Sequence, residues 1–196
     1  MMKRILAVVG SPRRNGNTHI LVSKMAEGAR AKGAAVDEIF LGELAIVECD
    51  GCHLCWKGRG CGKNDDMQAI YPRIIASDVI IFGTPVYWYG PTALMKAFID
   101  RFVYFNCPAN REKIRGKPAV IAVPFEEENL QTAKGVVEFF EKSLEHLQMS
   151  LLDKILVPGV SKKGDIRRKP ESLRRAYELG DTLAGTCYRI PDSRSS

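Results

Sequence analysis

The apolar run from Lys3 to Val9, cut off by Gly10-Ser11-Pro12, limits the possible folds of this chain more than any other segment. A strand that is apolar on both faces needs cover on both faces, which is the condition of a central strand in a parallel sheet. From Thr18 the positions Leu21, Met25 and Ala29 recur at helical spacing, with Asn17 or Thr18 as polar cap and Gly33 as the stop. Strand, glycine turn and helix in that order begin a β-α-β unit.

The same order repeats along the chain. The spacing predicts strands over Ala35–Leu41, Asp78–Gly83, Ala119–Val123 and about Leu151–Val157. Between them it predicts a helix with Met67, Ile70, Tyr71, Ile74 and Ile75 on one face, a helix over Thr92–Phe105, and a helix over Leu130–Gln148 facing inward through Ala133, Val137, Phe140, Leu144 and Leu147. Asp65 with Gln68 reads as a capping box, and Pro72 predicts a kink or a late start in the helix that follows. A last helix over Pro170–Cys187 carries the stripe Leu173, Ala176, Tyr177, Gly180, Leu183 and Ala184, and the tail beyond Tyr188 is expected to fray. Strict alternation implies an α/β doubly wound parallel sheet of five strands with helices on both faces. Ligands then bind outside the carboxyl ends of the strands.

A length of 196 residues fits one domain, and 45% hydrophobic with 27% charged residues excludes disordered, fibrous and membrane classes. The run Ile5–Val9 is too short for a secretory signal or a span, so a cytoplasmic location and no membrane partner are expected. Of the net charge of +6, +4 falls in residues 159–196. Lys162, Lys163, Arg167, Arg168 and Lys169 suit a phosphate-bearing partner such as NADPH or nucleic acid, although surface loops are often this basic for solubility alone.

The first loop, Gly10-Ser11-Pro12-Arg13-Arg14-Asn15-Gly16-Asn17-Thr18, joins a buried strand to a helix amino terminus. Free N–H groups there, with hydroxyl, amide and guanidinium donors, bind anions. Neither a nucleotide P-loop nor a dinucleotide fingerprint is present, so the expected anion is a terminal monophosphate. After the third strand, Thr84-Pro85-Val86-Tyr87-Trp88-Tyr89-Gly90-Pro91 places three aromatics where they can wall a planar ring.

Cys49, Cys52, Cys55 and Cys61 crowd one short window among glycines, while Cys107 and Cys187 stand apart. In a cytosolic chain such a window suggests metal or redox chemistry before disulfides. A 4Fe-4S cluster, a zinc ion held by four thiolates or with His53 replacing one, and four free thiols are the three readings. His19 and His146 suggest no catalytic role, and no Ser-His-Asp, Cys-His or paired-carboxylate constellation is visible, as expected where a cofactor carries the chemistry.

Taken together, the first loop, Thr84-Pro85-Val86-Tyr87-Trp88 and Lys96-Ala97-Phe98-Ile99-Asp100-Arg101 resemble the NADPH-dependent FMN reductase family of flavodoxin-like proteins, and the cysteine segment resembles its iron-sulfur flavoproteins. The resemblance implies a strand order of 2-1-3-4-5 in one FMN-binding domain over residues 1–188, with a cysteine insertion at 48–63 and a tail at 189–196. It implies FMN with its phosphate on Ser11, Arg13, Asn15, Asn17 and Thr18 and its ring against Pro85, Val86, Tyr87 and Trp88, and a 4Fe-4S cluster on Cys49, Cys52, Cys55 and Cys61. It further implies an oxidoreductase supplied by NAD(P)H or a ferredoxin-type carrier, assembled as a homodimer or homotetramer, with no nucleic-acid partner. A metal-free NAD(P)H-dependent flavin or quinone reductase is the alternative. One departure is the acidic loop Glu126-Glu127-Glu128, where relatives usually have a glycine-rich stretch; carboxylates there would oppose negative charge on a reduced ring unless they face solvent.

Overall fold

Ile5, Ala7 and Val9 of β1 (Arg4–Val9) pack on one side of the sheet and Leu6 and Val8 on the other, all at most 1% exposed. The computed structural model, which describes residues 2–186, places β1 between β2 (Ala35–Phe40) and β3 (Val79–Gly83), followed outward by β4 (Pro118–Pro124) and β5 (Ser150–Val157). All pairings are parallel, and the order β2-β1-β3-β4-β5 is the one the family resemblance implied. The three inner strands are apolar and buried, apart from Arg4 at the start of β1, because helices cover both their faces, whereas β2 and β5, at the edges, are partly exposed.

Helix α1 (Asn17–Ala31) and the last helix, α7 (Pro170–Gly185), cover one face. The other face is covered by α2 (Met67–Ala76), α3 (Ala93–Asp100) and α6 (Lys134–His146), with the short turns α4 (Val103–Asn106) and α5 (Pro108–Arg111) leading from α3 toward β4. Phe82, Phe98, Phe102, Phe105 and Phe140 form a connected aromatic group in this second core.

Four expectations need correction. The helix expected over Thr92–Phe105 ends at Asp100 and a separate turn begins at Val103; at the break the backbone tightens, with the Phe102 N–H bonded to Ile99 O, and Arg101 sends its side chain toward the cysteine segment. The helix expected from Leu130 opens with a 3₁₀ turn, Leu130–Ala133, in which the Asn129 side chain accepts the Gln131 N–H and the Asn129 carbonyl accepts that of Thr132. Asp65 and Gln68 do not form a reciprocal capping box: Asp65 accepts from the Met67 N–H at 3.2 Å, but the Gln68 amide donates to the Cys61 carbonyl at 3.2 Å. Pro72 does not delay α2, which starts at Met67 and continues through it. Cys187 and the tail lie outside the described residues.

Helices α1 and α7 meet through glycines. A Cβ at Gly28 would lie 2.0 Å from the Tyr177 carbonyl oxygen, and one at Gly180 would lie 1.9 Å from that of Met25. Replacing an ordinary helical glycine with alanine gains about 1 kcal/mol. Here the obstacle is backbone, which no rotamer change relieves, and overpacking of this kind costs about 1–3 kcal/mol or more. Gly28→Ala should therefore lower the unfolding free energy by at least about 1 kcal/mol in chemical denaturation, and a stabilised variant would contradict this packing.

Candidate functional site

The carboxyl ends of β1 and β3 are joined directly. Gly10 N–H donates to Gly83 O at 2.7 Å, and the Thr92 hydroxyl donates to Gly10 O at 2.5 Å while accepting the Met95 N–H at 3.1 Å as the cap of α3. A Cβ at Gly10 would stand 2.8 Å from Met95 Cβ, and one at Gly83 2.3 Å from the Val22 side chain, so glycine is required for this approach. The first loop and the aromatic loop consequently leave the sheet side by side.

They form the two sides of one cleft. Ser11, Arg13, Asn17 and Thr18 line it from the first loop and Pro85, Val86 and Tyr87 from the third-strand loop. Pro124, Phe125 and Glu126 at the end of β4 add to the lining, as do Val160, Ser161 and Lys163 after β5. Helix α1 begins here with Gly16 at its cap, no side-chain capping bond and no acidic residue in its first turn, which leaves an electropositive end facing the cleft. Arg13 has no acidic partner among the described residues, whereas Arg14 beside it pairs with Glu43. A fixed donor set with an uncompensated guanidinium fits an anion such as a monophosphate.

Two expected residues lie elsewhere. Asn15 is not part of the cleft lining; its backbone is left-handed (φ 55°) and its N–H donates to His19 Nδ1 at 3.0 Å. Trp88 is 97% exposed and, with Tyr89, occupies the tip of a tight turn at φ 48° and 61°, closed by the paired backbone bonds of Tyr87 and Gly90. Left-handed conformations in two such residues cost about 1–2 kcal/mol each. The Asn17 amide is also committed, donating to Val160 O at 3.3 Å and Lys162 O at 3.0 Å and accepting from Ile166 N–H at 3.2 Å. The acidic loop is exposed, with only Glu126 on the cleft and Glu128 paired to Lys169. Lys163 was named from the sequence as one of the cations suited to a phosphate-bearing partner, whereas Ser161 was not singled out.

A second cleft contains Cys49, Cys52, Cys55 and Cys61 together with Lys63 and Arg101. Arg101, 1% exposed, donates to Val47 O at 2.8 Å, pairs with Asp65 and donates to Cys61 Sγ at 3.1 Å. The thiols occupy unlike surroundings. Burial pushes the Cys55 thiol up from its usual range. For Cys61 burial acts in the same direction, but the Lys63 N–H, the neighbouring Tyr71 hydroxyl and the Arg101 guanidinium outweigh it and hold the thiol below that range. Among the described residues no three His, Cys, Asp or Glu side chains converge as a metal site, so the four thiols share a cleft without forming a closed ligand set. No helix among the described residues is long and apolar enough to cross a membrane.

The pattern of the NADPH-dependent FMN reductases matches residues 3–149. The chain belongs to this family. It is similar to a Bacillus subtilis protein named an NAD(P)H-dependent FMN-containing oxidoreductase, YwqN, at 28% identity over 181 residues, 90% of this chain and 96% of that protein. It is also similar to an iron-sulfur flavoprotein of Archaeoglobus fulgidus at 31% identity over 120 residues, 61% of this chain and 54% of the relative. The chain spans about half the length of the iron-sulfur flavoproteins it matches. In fold it is similar to an NAD(P)H:quinone oxidoreductase from Methanothermobacter marburgensis, with a TM-score of 0.77 at 18% identity covering 96% and 100% of the two chains.

Within this family member the two cysteine environments can be told apart chemically. In metal-free, reduced protein, Cys61 should be alkylated by iodoacetamide at lower pH than Cys55, because the charged neighbour favours its thiolate whereas burial disfavours that of Cys55. Site-resolved mass spectrometry across a pH series checks this, and identical pH profiles would refute it.

Proposed function

We propose that this protein is an FMN-dependent oxidoreductase fed by NAD(P)H or a ferredoxin-type carrier, with FMN lying in the cleft between the first and third-strand loops. The observation that carries the reading is the meeting, in one cleft, of an uncapped helix start with the unpaired Arg13 and a wall of Pro85, Val86 and Tyr87. Ser11, Arg13, Thr18 and the N–H of Asn17 hold the phosphate, and the third-strand loop supports the ring. Asn15 and Trp88, outside the cleft lining, have no direct part in this arrangement. Bound FMN supplies the hydride and electron chemistry that no side chain here provides. The chain's own work is to orient the flavin and to shield one side of it; of the acidic loop only Glu126 lines the cleft, and its exposure to water weakens its opposition to a reduced ring. The exposed Trp88 and Tyr89 at the cleft's lip support the proposal of a homodimer or homotetramer.

Heat-released cofactor should be FMN by mass, since the cleft offers a monophosphate site; FAD alone would remove the basis of the assignment. Arg13→Ala should weaken FMN binding roughly tenfold to a hundredfold, the range for one charge-assisted hydrogen bond to phosphate. Unchanged affinity in a flavin titration would take Arg13 out of the site.

The finer reading takes Cys49, Cys52, Cys55 and Cys61 as ligands of a 4Fe-4S cluster. Its support is the shared cleft, a guanidinium suited to an anionic thiolate set, and the names of the iron-sulfur flavoprotein relatives. The metal-free reductase is supported by the relative matched over 90% of this chain, whose name mentions FMN and no iron-sulfur cluster. On the cluster reading, anaerobically prepared protein contains iron and sulfide in equal amounts, and Cys55→Ala loses both while keeping its flavin. Stoichiometric zinc, or no metal with full reductase activity, would overturn it.

A further inference from the structure

We infer that the loop between β5 and α7 is a second arm of the anion site, in which Lys163 and Ser161 meet the flavin's terminal phosphate and Asn17 holds them in place. The inference rests on the assignment of the cleft to FMN. It concerns residues beyond the 3–149 stretch that the family pattern covers.

Two loops distant in sequence build this part of the cleft: Ser161 and Lys163 line it together with Arg13 and Thr18. Charge gives the arm its role. Lys163, like Arg13, has no acidic partner among the described residues, while the nearby Arg168 and Lys169 pair with Asp165 and Glu128. A phosphate monoester carries a charge of about −1.5 to −2 at neutral pH. One guanidinium leaves much of that charge uncompensated, and a guanidinium with an ammonium roughly balances it. Lys163 is exposed, so its contribution is to hold a doubly charged group at the rim, where an uncharged hydroxyl would gain nothing from it.

Asn17 supplies the geometry. Its amide bonds to Val160 O, Lys162 O and Ile166 N–H bracket Ser161 and Lys163 on both sides. Val160 N–H is fixed in turn to Phe125 O at 2.9 Å, and Ile166 is fully buried. Asn17 is also the first residue of α1, so the helix start facing the anion and the loop bearing the second cation are held by one side chain. Asn17 is on this account a positioning residue whose amide acts through Lys163.

The test titrates the full chain, stripped of flavin, with FMN and with riboflavin. Lys163→Gln should lower FMN affinity about tenfold, as for loss of one charge-assisted contact, and leave riboflavin affinity unchanged. Asn17→Ala should reproduce that selective loss, and the double variant should lose no more than the larger single one, because both act through the same contact. The preference of the unaltered chain for FMN over riboflavin should fall with salt more steeply than that of Lys163→Gln. If Asn17→Ala fails to fold, the exposed Lys163→Gln decides alone. Normal FMN binding with an unchanged FMN-to-riboflavin ratio in Lys163→Gln overturns the second arm and leaves the cleft assignment standing. Additive losses in the double variant overturn the positioning role of Asn17, and an unaltered chain that binds neither flavin overturns both the arm and the cleft assignment.

Discussion

The junction of Gly10 with Gly83 is the constraint on which the cleft depends. Two adjacent parallel strands end at the same level, and a direct backbone bond ties the first residue beyond β1 to the last of β3. Met95 of α3 closes on Gly10 and Val22 of α1 closes on Gly83, so helices from both faces of the sheet seal the point where the chains diverge. Without side chains there, the two loops emerge in contact and share one space. Larger residues would separate them, and each loop alone would offer half of a binding surface. The Thr92 hydroxyl adds to this, because it caps α3 and binds Gly10 O with the same oxygen.

The cysteine segment is attached to this frame by one buried ion pair. Arg101 sits at the end of α3, the helix that begins beneath the aromatic loop, and reaches Val47, Asp65 and Cys61. Removing one partner of a buried pair costs about 3–5 kcal/mol, since the other charge is left without water or counterion. Asp65 further ties Val47 to the start of α2 through two backbone N–H bonds. The guanidinium thus fixes both ends of the cysteine segment, at Val47 and at Cys61–Asp65.

The fold was legible because its signals are local. The runs of β1, β3 and β4 and the helical stripes of α1, α6 and α7 each state their own burial, and alternation supplies the topology. Errors arose where a distant partner decided the outcome. Nothing near Arg101 in sequence reveals that its side chain turns inward to Asp65, and so Thr92–Phe105 read as one helix. Gln68 has the spacing of a capping box, yet carbonyls at Cys61 and Lys63 compete for its amide. In the candidate site the glycine-rich first loop and the aromatic run identified themselves by composition. The outward direction of Trp88 was not legible, because only the left-handed turn sets it. Lys163 was legible as a cation suited to phosphate, but not its place beside the first loop, nor Ser161 at all, because only the topology brings them there.

The bonds of Asn17 to Val160 and Ile166 link positions 143 and 149 residues apart. Contacts of such separation carry a loop-closure cost that local ones do not. The amide of the first loop has these partners only once β5 and the residues after it are docked. The two sides of this part of the cleft are thus joined only in the finished topology, by one side chain that ties the start of α1 to the loop after β5.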